Sequence, residues 1–232
     1  MIFFKFFEII IWFFILFAIS FLIGNLWQRI FRGRKYEAIL FPGVIIHEFS
    51  HALGCLITGA RIKSIKLFSS SGSYVAHTKA KIPIIGDMLI SFAPVVGGIL
   101  FVYLLTLIFN YDLAQLDLFK ESFQESLFQL IKGAVSFSVN YYNQWQFWLF
   151  SYLTLSTIIS LIPSKQDFKN SAISSLIIFL ILSSLIYFDL FKDSILYFFD
   201  NYLINLLGLG IFFATIALLI TLPIFIIKKI IL

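Results

Sequence analysis

The residues best suited to chemistry in this sequence are His47-Glu48-Phe49-Ser50-His51, a HExxH pattern inside an apolar segment. Residues four apart lie on one face of an α-helix, so a helix here would let both histidines bind the same metal ion. Glu48 follows the first histidine and could reach a water molecule on that ion. The pattern therefore predicts a catalytic metal site on a helix.

The apolar surroundings of this pattern predict that the site lies within a membrane. The chain has 232 residues, of which 60% are hydrophobic and 12% charged, and its mean hydropathy is +0.99. A water-soluble domain of this composition would lack the polar residues that cover a protein surface. An ionisable side chain at membrane depth costs about 2.5–3.5 kcal/mol on insertion scales, so its presence there indicates function.

The charge and the cysteine content argue against two other kinds of site. The net charge is +5, but the basic residues are scattered among short loops, which suits membrane flanks better than nucleic acid binding. We therefore expect the lipid bilayer as a partner and no nucleic acid. The single cysteine, Cys55, would lie about 12 Å along the helix axis from His47, too far to share its ion, so we interpret it as a packing residue.

The apolar segments predict the fold class. Segments near the length of a bilayer span predict six transmembrane helices, at residues 2–27, 38–59, 87–109, 145–162, 171–189 and 202–227. Residues 61–80 alternate polar and apolar side chains around a Ser/Gly turn, as in a β-hairpin. Residues 113–132 have the periodicity of an amphipathic helix on the membrane surface. We expect an all-α polytopic membrane protein of about six transmembrane helices, with a small β-hairpin and a surface amphipathic helix.

Two histidines do not complete a catalytic zinc site, which usually has three protein ligands and one open position. The only later glutamates, Glu121 and Glu125, lie on the amphipathic segment, on the predicted opposite side of the membrane from the hairpin. Asp167 lies in a short break between two apolar segments, on the side that the end of the histidine helix reaches. Its position alone leaves two interpretations open, a metal ligand or a cap of the next helix.

Four segments resemble the site-2 protease family of intramembrane zinc metalloproteases, and most closely its small bacterial and archaeal branch. They are Phe41-Pro42-Gly43-Val44-Ile45-Ile46-His47-Glu48-Phe49-Ser50-His51-Ala52, Gly72-Ser73-Tyr74-Val75-Ala76-His77, Ala93-Pro94-Val95-Val96-Gly97-Gly98 and Pro163-Ser164-Lys165-Gln166-Asp167. The resemblance covers about residues 38–172. One departure is Phe168, which follows Asp167 where the familiar family form has glycine.

The resemblance implies roles for the residues that match. His47, His51 and Asp167 would bind one Zn²⁺ per chain, and Glu48 would be the catalytic base. Residues 38–172 would form the metalloprotease core of a single integral membrane domain, 1–232, with extra helices at 1–27 and 173–232.

The implied function is zinc-dependent hydrolysis of a peptide bond within or near the transmembrane helix of a single-span membrane protein. The implied location is the cell membrane of a prokaryote, with several membrane passes. Two alternatives stay open, namely another HExxH membrane metallopeptidase, such as a prenyl-protein protease, and a non-proteolytic membrane protein that binds zinc. The absence of a later glutamate on a span argues against the first. Glu48 argues against the second, because a structural zinc site needs no base.

Several residues outside the motif are candidates for supporting it. His77 on the hairpin is a candidate substitute ligand, substrate contact or plain interfacial residue, and Asn170 is a candidate substrate or accessory residue. Pro94, Gly97 and Gly98 would let a helix pack closely against the histidine helix. Four hydroxyl residues would either form interhelical hydrogen bonds or line a path for water: Ser151, Thr154, Thr157 and Ser160.

Overall fold

The structure is a helical bundle with one small sheet. The computed structural model describes residues 2–31, 36–67, 73–82, 85–111, 123–161 and 165–231. In these ranges the helices are α1 (Ile2–Phe31), α2 (Tyr36–Ile39), α3 (Phe41–Thr58), α4 (Ile85–Ile108), α5 (Phe123–Tyr141), α6 (Trp145–Ser160), α7 (Lys165–Tyr187), α8 (Lys192–Phe198) and α9 (Ile204–Ile231). A π-helical turn, Phe199–Leu203, joins α8 to α9. The predicted mainly helical fold is confirmed.

Three helical segments of the described ranges are long and apolar enough to cross a membrane: Phe7–Phe31, Ile85–Ile108 and Lys192–Ile230. The expected count of six spans is not confirmed and stays a prediction. Helix α3 has 18 residues and α6 has 16, which correspond to about 27 and 24 Å at 1.5 Å per residue. Both are shorter than the hydrocarbon core of a bilayer, about 30 Å thick.

The ends of α3 follow from its sequence. Pro42 lies in the first turn, where a missing N–H breaks no helical hydrogen bond. Gly59 follows the last residue with a φ of 71°, a left-handed conformation that glycine adopts without a steric penalty. The Ala60 N–H then donates to the carbonyl of Cys55 at 2.9 Å, which closes the helix end. The helix is therefore a few residues shorter than the predicted 38–59.

The predicted hairpin is confirmed by two antiparallel strands, β1 (Ile62–Lys66) and β2 (Tyr74–His77). The pairs Ile62↔His77 and Lys66↔Tyr74 mark the two ends of the ladder, and an irregularity interrupts the pairing between Ile62 and Ser64. Residues 68–72 of the predicted turn lie outside the described ranges. Both strands contact α3, so the hairpin lies beside the helix that carries the HExxH residues.

The predicted amphipathic helix differs from α5 in its bounds. The prediction covered residues 113–132, whereas α5 begins at Phe123 and ends at Tyr141, and residues 113–122 lie outside the described ranges. Helix α5 packs against α9 and buries Leu130, Ala134 and Phe137. Its apolar face is thus covered by protein over much of its length. Lys132 is the only charged residue of α5 after Leu130, so the amphipathic pattern of the sequence weakens before the helix ends.

The buried apolar residues form two clusters. The larger one lies between α1, α4, α5, α6 and α9 and includes Trp12, Ile99, Phe150 and Phe212. The smaller one lies under the hairpin and contains Cys55, Ala60 and Ile90. Cys55 is fully buried there, which confirms its interpretation as a packing residue.

Glycines set how closely α3 approaches its neighbours. A methyl group built on Gly43 would overlap the carbonyl oxygen of Ser156 in α6, and one built on Gly97 of α4 would overlap the Ser50 hydroxyl. A methyl group on Gly98 would overlap the Leu161 side chain at the end of α6. The prediction that Gly97 permits close packing against the histidine helix is confirmed, whereas Gly98 faces α6 instead. At Gly43 the main chain of α6 itself approaches the HExxH helix.

Candidate metal centre

Helix α3 places His47 and His51 on one face, one turn apart. The centroids of their rings lie 4.8 Å from each other and the ring planes meet at 78°. His51 is buried, whereas His47 is partly exposed. The predicted convergence of the two imidazoles is therefore present.

The ring of His47 is held by the end of α6. Its Nδ1 is hydrogen-bonded to the main-chain carbonyl of Ser160, the last residue of that helix. Carbonyls in the last turn of a helix lack intrahelical donors, so this one is free to accept from a side chain. The bond leaves Nε2 as the nitrogen able to bind a metal.

The ring of His51 is held in the same way from another helix. Its Nδ1 donates to the main-chain carbonyl of Ile90 in α4 at 2.8 Å. Metal-binding histidines commonly use the second ring nitrogen for such a bond, which fixes both tautomer and orientation. The Nε2 atoms of both histidines are thus the ones left for a metal.

Asp167 completes the cluster. Its Oδ1 lies 3.6 Å from Nε2 of His51, and the three candidate ligand atoms of His47, His51 and Asp167 all lie within 4.8 Å of one another. Two ligand atoms on a tetrahedral zinc ion, each about 2.0–2.2 Å from it, are themselves about 3.3–3.6 Å apart. The described part of the chain therefore brings together the three residues that the resemblance implied.

The setting of Asp167 differs from the prediction. The sequence pattern put it in a break before a helix at 171–189, but α7 begins at Lys165 and holds Asp167 in its first turn. Five of the six residues from Lys165 to Asn170 are polar, so the hydropathy pattern of the sequence does not indicate this helical turn. A carboxylate in the first turn is favoured by the helix dipole, and the helix gives the side chain a fixed origin.

Glu48 is 3% exposed, and it lies on α3 between the two histidines. Its side chain accepts a hydrogen bond from the Ser73 hydroxyl, just before β2. Its Oε2 atom is buried and has no hydrogen-bond partner among the described residues. A buried acceptor without a donor is costly in a finished core, so this oxygen points to a missing partner such as water.

The two accessory candidates have different outcomes. His77 lies on β2, where its Nδ1 is hydrogen-bonded to the carbonyl of Thr78 at 2.7 Å. It is near enough to His51 for their charges to interact, but it is not a member of the three-residue cluster. Asn170 lies in α7, three residues after Asp167, and its side chain falls outside the described part of the structure.

Interhelical hydrogen bonds were predicted for Ser151, Thr154, Thr157 and Ser160 of α6, but in the described part of the structure the hydroxyl that forms them is that of Ser156. The hydroxyls of Thr157 and Ser160 donate to carbonyls of their own helix, while those of Ser151 and Thr154 are buried with no hydrogen-bond partner among the described residues. Ser156 instead donates to the Leu40 carbonyl at 2.5 Å and accepts from the Gly43 N–H at 2.6 Å.

Ser156 and Ser73 are the supporting residues that sequence reasoning missed. Ser156 lies between Ser151 and Ser160 in the same run of hydroxyl residues, and nothing in its local pattern distinguishes it from them. Ser73 occurs in one of the segments that carry the family resemblance, and only that location indicated that it could support the site.

The chemistry of these side chains fits a divalent metal ion. Two imidazole nitrogens and one carboxylate oxygen form a donor set of the kind found in catalytic zinc sites. The second nitrogen of each histidine is bonded to a carbonyl, and the Glu48 carboxylate, which has one unpartnered oxygen, is near enough to Asp167 for their charges to interact. Such a site can hold a metal with a base next to it.

Residues 16–194 match the family model described as Peptidase M50B-like. No curated protein and no solved structure matches the chain. The family and the three apolar helices together indicate a membrane protein of the metallopeptidase class. Because the match covers well over half of the 232 residues and includes the whole His47–Glu48–His51–Asp167 cluster, the chain belongs to the Peptidase M50B-like family, as its resemblance to site-2 proteases predicts.

Proposed function

We propose that this protein is a zinc-dependent endopeptidase that hydrolyses a peptide bond within or near the transmembrane helix of a substrate. The observation that carries the proposal is the buried Glu48 carboxylate, with one unpartnered oxygen, beside the His47–His51–Asp167 cluster. A structural metal site has no use for such a group. In a family of membrane metallopeptidases, its natural role is that of a base.

Each residue of the site has a separate role in the proposed reaction. His47, His51 and Asp167 would hold one zinc ion, which would supply a water molecule with a pKa lowered towards neutrality. Glu48 accepts a proton from the attacking water through its unpartnered Oε2 and later donates a proton to the leaving amine. The Ser73 hydroxyl orients Glu48 through its other oxygen. Ser160 and Ile90 keep the two imidazoles in the tautomer that offers Nε2.

The substrate is a single-span membrane protein in the lipid bilayer, which we place in the cell membrane of a prokaryote. A transmembrane helix hides its carbonyls in backbone hydrogen bonds, so it must unwind before it can be cut. A two-stranded sheet has free edges, and an unwound strand can pair with one of them by β-addition. The hairpin contacts α3, and Ser73 links it to Glu48, which supports this route to the site.

The proposal is tested by Glu48→Gln, with cleavage of a model transmembrane substrate and zinc content measured on the same preparation. We expect cleavage to fall by about 10²–10⁴-fold, the usual contribution of a general base, with zinc retained. Glu125→Gln on the exposed start of α5 is the matched control and leaves both unchanged. Undiminished cleavage by Glu48→Gln would contradict the proposal. Zinc binding without cleavage by the wild-type protein would favour a non-proteolytic metal site.

The ligand role of Asp167 is tested by Asp167→Ala. We expect zinc content to fall from about one ion per chain to well below it, because catalytic zinc sites rely on three protein ligands. Asp193→Ala is the matched control, since Asp193 is an exposed carboxylate in the first turn of α8. Unchanged zinc content in Asp167→Ala would remove this residue from the ligand set.

A further inference from the structure

Pro94 lies inside α4 and removes one hydrogen bond from that helix. In an α-helix each N–H donates to the carbonyl four residues earlier, and proline has no N–H to donate. The carbonyl that loses its donor here is that of Ile90. This same carbonyl accepts the hydrogen bond from Nδ1 of His51 at 2.8 Å. The carbonyl oxygen that lacks a helical donor because of Pro94 is therefore the one that His51 binds.

The close approach of α3 and α4 makes this contact feasible. A methyl group built on Gly54, one turn after His51, would lie 3.1 Å from Cα of Ile90. The Ile90 side chain is 2% exposed and His51 is 7% exposed, so water has little access to either. A buried carbonyl without a donor would be unfavourable, and His51 supplies the donor that residue 94 cannot.

We infer that Pro94 is a positioning residue of the metal centre, because its missing N–H reserves the Ile90 carbonyl for His51. With Nδ1 bonded to that carbonyl, Nε2 of His51 faces Asp167 at 3.6 Å. A residue with an N–H at position 94 would donate a helical hydrogen bond to the Ile90 carbonyl. His51 would then lose the bond that fixes its tautomer and orientation.

The other histidine supports this interpretation through a different arrangement. His47 bonds to the carbonyl of Ser160, where α6 ends and no helical donor is needed. Helix α4 continues for 14 residues beyond Pro94, so it cannot free a carbonyl at position 90 by ending there. A proline frees it while the helix goes on. Both imidazoles are thus held by main-chain oxygens released from helical hydrogen bonding.

The inference rests on the zinc site of the proposed function and is tested by zinc affinity in a competition titration with a chromophoric chelator. We expect Pro94→Ala to weaken zinc binding by about 10–100-fold, the usual effect of losing a bond to a metal-binding histidine. The Co²⁺-loaded protein should also change its visible absorption spectrum, which reports the ligand geometry and needs no substrate. Pro223→Ala in α9 is the matched control, another proline inside a helix but far along the chain from these residues, and it should leave both unchanged.

A second variant separates the missing N–H from the shape of the proline ring. Lactic acid at position 94, introduced by nonsense suppression, has the side chain of alanine but an ester oxygen in place of the N–H. We expect it to restore zinc affinity to within about 3-fold of wild type, because the Ile90 carbonyl is free again. Wild-type affinity in Pro94→Ala, or equal losses in the alanine and lactic acid variants, would overturn the inference. Failure of the wild-type protein to bind zinc would instead overturn the metal centre itself.

Discussion

Helices α3 and α9 both contact several neighbours, but they are held in place by opposite kinds of residue. Helix α9 buries large apolar side chains against α1, α4, α5 and α6, among them Leu207, Ile211, Phe212, Phe213 and Ile216. The buried residues of α3 are all small or polar: Gly43, Glu48, Ser50, His51, Ala52, Gly54, Cys55 and Thr58.

The large apolar side chains of α3 lie on its outer side instead. Phe49, Leu53, Leu56 and Ile57 are all exposed, and Ile57 is 73% exposed. In a membrane this arrangement is favourable, because lipid tails solvate apolar side chains as well as a protein core does. Helix association then depends on close approach and on hydrogen bonds, both of which small and polar residues provide.

This difference in packing explains why the candidate site is on α3 and not on α9. Close approach lets α3 reach the carbonyls of Ser160 and Ile90 and the hydroxyl of Ser156, and main-chain groups are fixed points. A contact between large side chains, such as Phe137–Phe212 with ring centroids 5.8 Å apart, stabilises the packing of two helices but can adjust by a change of rotamer. Metal ligands need the former kind of support.

Among substitutions that test this difference between α3 and α9, we expect Gly43→Ala to have the largest effect on stability. The added methyl group would overlap the Ser156 main-chain carbonyl, which cannot move without shifting α6, so we expect a loss of about 3 kcal/mol or more in stability. Zinc binding should weaken as well, because α6 carries the Ser160 carbonyl. Unfolding in mixed detergent micelles and a chelator titration measure the two effects.

Gly210→Ala in α9 is the counterpart. Its methyl group would meet only the ends of the Ile99 and Leu16 side chains, at 2.8 and 3.1 Å, and these can rotate away. The better helix propensity of alanine offsets part of the crowding, so stability should stay within about 1 kcal/mol of wild type. Equal losses for Gly43→Ala and Gly210→Ala would show that main-chain approach is not special to α3.

An intermediate effect is expected from Ser156→Ala. Leu40 precedes α3 and has no side-chain cap, so the Ser156 hydroxyl satisfies the Gly43 N–H in the first turn from another helix. Its loss leaves this donor unpaired and removes the hydrogen bond to the Leu40 carbonyl, at a cost of about 1–3 kcal/mol. We expect lower zinc affinity together with lower stability.

Thr221→Val is the matching substitution in α9. The Thr221 hydroxyl accepts a buried hydrogen bond from Nε1 of Trp27 at 3.0 Å, so its removal also leaves a buried donor without a partner. The stability loss should be of similar size, about 1–3 kcal/mol, but zinc affinity should stay at the wild-type value. A drop in zinc affinity with Thr221→Val would mean that the two regions are coupled more tightly than their contacts suggest.

The smallest effect is expected from Ser73→Ala. It removes one hydrogen bond to Glu48 but no metal ligand, so zinc affinity should not change. If the lost hydrogen bond raises the activation free energy by about 1 kcal/mol, cleavage should be slower by about 5-fold. Ser64→Ala, at an exposed position of β1, is the control in the same hairpin. Unaltered cleavage of a transmembrane substrate by Ser73→Ala would show that Glu48 is oriented by α3 alone.

Much of the fold was predictable because its signals are local. The HExxH spacing and the apolar flanks predicted the helix and its histidine face, and the alternation around residues 61–80 predicted the hairpin. Errors arose at element ends. The first turn of α7 is not predicted because Lys165 to Asn170 is mostly polar, and α5 continues past the predicted end because α9 covers it.

The amino-acid sequence was enough to predict that two histidines and a neighbouring carboxylate lie on a helix in an apolar setting, since residue type and a spacing of four suffice for that. The tertiary structure alone decided what supports that pair. The carbonyls that hold His47 and His51 come from residues 113 and 39 positions away. Every residue has a carbonyl, so no pattern of side chains identifies these two. They become available only where a helix ends or a proline interrupts it, and useful only where α3 packs closely against them.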